Sequence, residues 1–207
     1  MSNNEKKIVM SNEILYILLP DYAAHEAVYL SQAVSSDDFA LKENPKYVNK
    51  AVAPSLDPVK SIGGFRTLPD YSFETMPGDY AALVLIGGFG WLTPIAKQVI
   101  PIVKQAIENG RIVGAICNAA SFMAKCGLLN TVKHTGNGLD QLKLWGGGNY
   151  TNADGYVHAQ AVSDQNIVTA NGSATLEFAK ELLLLLENDT PERIEMYYQF
   201  NKQGFCI

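Results

Sequence analysis

The sequence predicts one α/β domain over residues 1–207, with a mostly parallel sheet covered by helices on both faces. Three observations lead there. Near-continuous apolar runs, EILYILL at 13–19, AALVLI at 81–86 and RIVGAI at 111–116, read as strands buried on both sides. Stretches with helical spacing alternate with them, the pattern of a parallel sheet with crossover helices. At Cys117 a strand runs straight into a helix, with the small residues Ala115 and Ala119 two positions to either side. A chain of 207 residues, 47% hydrophobic, can bury a substantial single core.

Taken in order, the first strand ends at Pro20, and Ala23 to Ala33 carries helical periodicity. Tyr47 to Ala53 and Val59 to Ile62 read as weaker strands, with Gly63-Gly64 at a turn. The AALVLI strand is followed by Gly87-Gly88-Phe89-Gly90, and Ile95 to Glu108 by the stop signal Asn109-Gly110. Asn118 to Lys125 is the next helix, with Ala119, Phe122, Met123 and Cys126 at helical spacing and Gly127 ending it. Thr131 to Thr135 reads as a short extended piece and the Gly146–Asn149 stretch as a flexible loop. Tyr156 to Val162 and Ile167 to Ala170 read as adjacent strands around a polar turn, then Ala174 to Leu186 as a helix and Pro191 to Phe200 as a short last one.

Ligands in such sheets bind outside the carboxyl ends of the strands, where Glu26, Gly87-Gly88 and Cys117 would share one rim. The strand–Cys117–helix join has the form of a nucleophile elbow with cysteine in the place of serine. A helix N-terminus favours negative charge, so Cys117 is expected to be thiolate more often than a free cysteine. Cys126 reads as core packing and Cys206 as a tail residue. His25 reads as peripheral to the site and His158 as structural.

Net charge of −5 without a basic cluster argues against nucleic acid or an anionic membrane, leaving a small molecule or a peptide as the expected substrate. Three cysteines without a CxxC pair suggest a reducing compartment, and the absence of an apolar run of roughly 18–20 residues suggests a soluble, cytoplasmic protein. Three histidines without HxxxH spacing predict no metal site, and Gly87-Gly88 is not a dinucleotide fingerprint, so no cofactor is expected.

Four segments in order, LLPDYAAHEAVYL, VLIGGFG, VGAICNAASFMAKCGLL and VKHTGN, resemble the ThiJ/PfpI family over nearly the whole chain. The resemblance implies a flavodoxin-like fold similar to the class I glutamine amidotransferase domain, and a homodimer. It places the family's nucleophile on Cys117, its cysteine-bonding acid on Glu26, the histidine after the elbow helix on His134, and an oxyanion hole on the N–H groups of Gly88 and Asn118. Beside the sulfur, Glu26 is expected to be protonated, with the shared charge mainly on sulfur. The peptidase branch has histidine directly after the cysteine, whereas this chain has Asn118. The implied function is a cysteine-dependent hydrolase acting on an amide, peptide or reactive carbonyl, with His134 moving protons. The alternatives are a non-catalytic stress or redox sensor, or glyoxalase- or deglycase-like activity.

Overall fold

The computed structural model describes residues 11–36 and 42–204. Its elements are β1 (Glu13–Ile17), α1 (His25–Ser35), β2 (Val48–Ala53), β3 (Val59–Lys60), β4 (Arg66–Thr67), β5 (Tyr71–Ser72), β6 (Ala82–Leu85), α2 (Val99–Glu108), β7 (Ile112–Ile116), α3 (Asn118–Lys125), α4 (Leu139–Gly146), β8 (Ala161–Asp164), β9 (Ile167–Ala170), α5 (Thr175–Leu185) and α6 (Pro191–Gln203). Seven strands form one sheet in the order β5-β2-β1-β6-β7-β9-β8. Every neighbouring pair in it is parallel except β8 with β9. This is the α/β architecture that the apolar runs predict.

Alternation along the strands divides the core between the two faces. Leu15, Ile17, Leu83, Leu85 and Val113 pack with Val99 and Val103 of α2 and Phe122 and Met123 of α3. On the other face Ile14, Tyr16, Val84 and Ile116 pack with Leu30 and Val34 of α1 and Phe178 and Leu182 of α5. Gly114 brings α5 close to the sheet: a Cβ there would meet Phe178 Cζ at 2.9 Å and Leu182 Cδ1 at 3.0 Å. No helix among the described residues is long and apolar enough to cross a membrane.

Several stretches fold differently from their sequence pattern. Of the strand read over Val59 to Ile62, Val59–Lys60 forms, paired with Arg66–Thr67 in a separate antiparallel hairpin. Thr131 to Thr135 contributes only the single bridge of His134 to Tyr156, and of the stretch from Tyr156 to Val162 only the end enters a strand, because residues 157–160 are exposed and lie in a turn. Helix α4 has no clear signature in the sequence, because its polar residues run into three glycines that resemble a loop. Those glycines lead into a 3-10 turn held by Asn149, whose side chain donates to Lys125 O and whose carbonyl accepts from Asn130. The stretch expected as one helix from Ile95 opens as a 3-10 segment, Pro94–Gln98, so that Pro101 falls in the first turn of α2, where its missing N–H costs no hydrogen bond.

Candidate active site

Because β1, β6, β7 and β9 are parallel neighbours, their carboxyl ends open on one rim of the sheet. That rim gathers the chain after β1 with Glu26, Gly87-Gly88 after β6, Cys117 after β7 and Gly172 after β9. Cys117 adopts φ 61° and ψ −127°, a conformation that L side chains rarely take and that costs on the order of 1–3 kcal/mol. Two things hold it there. Its N–H donates to Ala170 O at 3.0 Å, and its carbonyl accepts from Ala120 N at 3.1 Å, opening α3. Ala115 and Ala119 are fully buried, and side chains larger than methyl would have no room at the turn.

Glu26, on the first turn of α1, is 2% exposed. Its Oε2 accepts from the Gly87 N–H at 2.7 Å, and its carboxyl hydrogen-bonds the Cys117 side chain. Gly87 makes this approach possible: a Cβ there would stand 2.5 Å from Glu26 Oε2 and 2.6 Å from Cys117 Cβ. Burial pushes the Glu26 carboxyl up from 4.5 to about 7, against the lowering effects of the Gly87 N–H and of Cys117. Burial also raises the Cys117 thiol, and the Glu26 charge raises it further; donors from Asn137 and the Asn118 N–H pull the other way. The expected depressed thiol, with the charge mainly on sulfur, is therefore corrected: desolvation outweighs the helix N-terminus while Glu26 is charged. The two groups form one coupled acid pair that retains a proton at neutral pH.

Asn137 is the residue that sequence reading missed. Its Oδ1 accepts from the Gly172 N–H at 2.9 Å, and an N–H can only donate, so the amide orientation is determined and Nδ2 points at Cys117 Sγ, 3.4 Å away. Gly172 itself lies against the sulfur, where a Cβ would come within 2.8 Å of Sγ. Asn118 Nδ2 donates to Gly88 O at 3.0 Å, and Gln141 Nε2 donates to Asn118 Oδ1 at 3.0 Å. The antiparallel bridge between Tyr22 and Gly88 takes its donors from Ala23 and Phe89, so it does not use the Gly88 N–H.

The structure places His134 elsewhere, and the proton-moving role read for it is corrected. The ring is fully buried, with Nδ1 2.8 Å from Val132 O and Nε2 2.6 Å from Tyr150 Oη. A carbonyl only accepts, so Nδ1 carries the proton and Nε2 accepts from the tyrosine hydroxyl. Burial lowers its pKa, keeping the ring neutral. His134 anchors the loop, Thr135 ties it to Thr169 and Ala159, and Asn137 is thereby delivered to the sulfur. The segment VKHTGN does reach the site, three residues beyond the histidine.

His25 is exposed at the rim, its Nε2 3.3 Å from Gly172 O. His158, expected to be structural, is exposed and lines an open cleft of about 1140 Å³ beside Asn137, Gln141, Tyr156 and Gly172. The groups around that cleft are mostly neutral hydrogen-bonding side chains and glycine backbone, with Asp140 the charged exception. Among the described residues no three His, Cys, Asp or Glu side chains converge as metal ligands. Cys206 lies outside the described residues.

A mostly parallel sheet in an α/β fold, with a strained cysteine at a strand–helix elbow and a buried carboxyl against it, defines a class of nucleophile-elbow proteins. Within that class, the chain belongs to the DJ-1/PfpI family, which it matches over residues 12–185. It is 39% identical over 193 residues to a Bacillus subtilis protein named uncharacterized protease YdeA, covering 92% of this chain and 91% of that one. It is 33% identical over 175 residues to uncharacterized protease YoaZ of the same organism, covering 84% and 83%. Among solved structures it resembles the DJ-1 superfamily protein Atu0886 from Agrobacterium tumefaciens (TM-score 0.81, 33% identity, 94% of this chain and all of that one). It also resembles a thiJ/pfpI family protein from Bacillus anthracis (TM-score 0.85, 30% identity, 95% and 93%).

Proposed function

We propose that the protein is a cysteine-dependent hydrolase of peptides or amides, in which Cys117 is the nucleophile and Glu26 its proton partner. The observation that carries this reading is the hydrogen-bonded pair itself: a carboxyl brought to about 7 beside a thiol held at a strained elbow. A group with that pKa is well matched to accept and return a proton at neutral pH. Glu26 as carboxylate takes the Cys117 proton, and the charge passes to sulfur, where the Asn137 amide and the Asn118 N–H stabilise it. Sulfur then attacks the carbonyl carbon. The C=O electron pair moves to oxygen, which the N–H groups of Gly88 and Asn118 receive as an oxyanion hole. The intermediate collapses, the C–N bond breaks, and the amine leaves with the proton that Glu26 returns; water releases the acyl group from sulfur in a second round.

The relatives named as proteases and the open, mostly neutral cleft beside Asn137 support an uncharged amide substrate. The test is hydrolysis of a peptide library by the native protein and by Cys117→Ala. Native cleavage that disappears in Cys117→Ala is expected; cleavage that persists in the variant removes the cysteine mechanism.

A further inference from the structure

Cys126 caps the C-terminal end of α3, nine positions from Cys117 and about 13 Å along the helix from it. It forms part of a second cavity, of about 520 Å³, that lies apart from the cleft beside Asn137. Its accessible apolar floor is made by Leu92 and Pro94, both exposed, with the half-buried Ile100, while Trp91 and Phe122, their rings 4.8 Å apart, are almost wholly buried. Three lysines stand around this floor, each from a different element: Lys97 before α2, Lys104 on α2 and Lys125 on α3. None of the lining side chains is acidic, and none of the three lysines enters an ion pair among the described residues. In a chain of net charge −5, this is a local excess of positive charge over an apolar floor. Lys104 and Lys125 are close enough to Cys126 to lower its thiol pKa, although burial raises it more.

We infer that this cavity is a binding site for a small amphipathic anion, a carboxylate with an aliphatic or aromatic body. The body lies on Leu92, Pro94 and Ile100 and the carboxylate meets the lysine rim. The volume falls in the range of small-molecule sites, and the charge complementarity selects an anion over a neutral apolar compound. The inference does not depend on catalysis at Cys117.

Cys126 provides the readout. The native protein is alkylated with iodoacetamide in the presence of octanoate, or of octanol at the same concentration, and the Cys126 peptide is followed by mass spectrometry. Octanoate is expected to slow labelling of Cys126 by roughly an order of magnitude near saturation, and octanol by much less. The variant Lys97→Gln/Lys104→Gln, altered only at exposed positions, should need on the order of tenfold more octanoate for half-protection, and added salt should have the same sense of effect. Equal protection by octanol, no protection by octanoate, or protection unchanged in the lysine variant would each overturn the inference.

Discussion

Cys117 and Cys126 cap the two ends of one helix, both are half-buried, and burial raises both thiols. They differ in everything else around the sulfur. Cys117 sits at φ 61° on an elbow, bonded to a carboxyl and faced by the Asn137 amide and the Asn118 N–H. Cys126 has φ −89°, an ordinary helix end, with two lysines as its nearby charges. Partial burial of a cysteine therefore says little about its chemistry. What separates the two is a backbone conformation that aims one sulfur at donors, together with an acid that can exchange a proton with it.

The comparison breaks most directly at Glu26. Glu26→Gln retains an oxygen for the Gly87 N–H and turns an amide donor toward the sulfur, but it cannot exchange protons. Turnover should fall by about 10²–10⁴, while the thiol pKa falls because the neighbouring charge is gone. Thiolate absorbance against pH checks the second half, and a thiol pKa that rises or stays in place would mean that Glu26 does not act on the sulfur electrostatically. Stability gives an independent reading. The folded carboxyl, at about 7, lies above its ordinary 4.5, so its contribution is fully present below about 4.5 and is lost as pH rises through about 7. Above that range native Glu26 costs on the order of a few kcal/mol that glutamine does not, so Glu26→Gln should gain Tm on native protein between pH 4.5 and pH 8.

Asn137 sharpens the comparison, because it is a donor that Cys126 lacks. Asn137→Asp preserves the shape and the bond from the Gly172 N–H but points an acceptor at the sulfur. The thiol pKa should rise and the rate of Cys117 alkylation at pH 7 should drop by roughly tenfold. An alkylation rate unchanged in Asn137→Asp would show that the amide only packs there.

The smallest effect on activity belongs to His134. His134→Gln should leave turnover within about twofold yet cost about 1–3 kcal/mol in denaturant unfolding, because Tyr150 Oη and Val132 O lose a well-placed buried partner. A loss of turnover as large as that of Glu26→Gln, with stability unchanged, would restore the histidine to the mechanism.

These residues also show where the sequence was legible. The strands flanking the site are long apolar runs, and the elbow is marked by two alanines around a cysteine; both are local patterns that packing of a parallel sheet demands. The rule about strand ends gathered Glu26, Gly87-Gly88 and Cys117 on one rim, and the family resemblance supplied the roles of Glu26 and Gly88. Neither pointed to Gly172 or Asn137, because a loop residue has no periodicity and its contact with the sulfur depends on how β9 and the loop after α3 meet in space. The chemical role came to the histidine of VKHTGN from the family resemblance, not from its surroundings in the sequence. Burial and two satisfied ring nitrogens show it to be the anchor, and the asparagine three positions later to be the group at the sulfur.

The central claim is that acyl transfer passes through Cys117 and no other thiol. Mixing the protein with p-nitrophenyl acetate and following nitrophenolate release, with peptide mass mapping of the quenched mixture, tests it in one experiment. A burst followed by sustained turnover is expected, with acetyl on the Cys117 peptide during turnover and neither burst nor turnover in Cys117→Ala. Acetyl confined to Cys126, or the same turnover in Cys117→Ala, would contradict the claim.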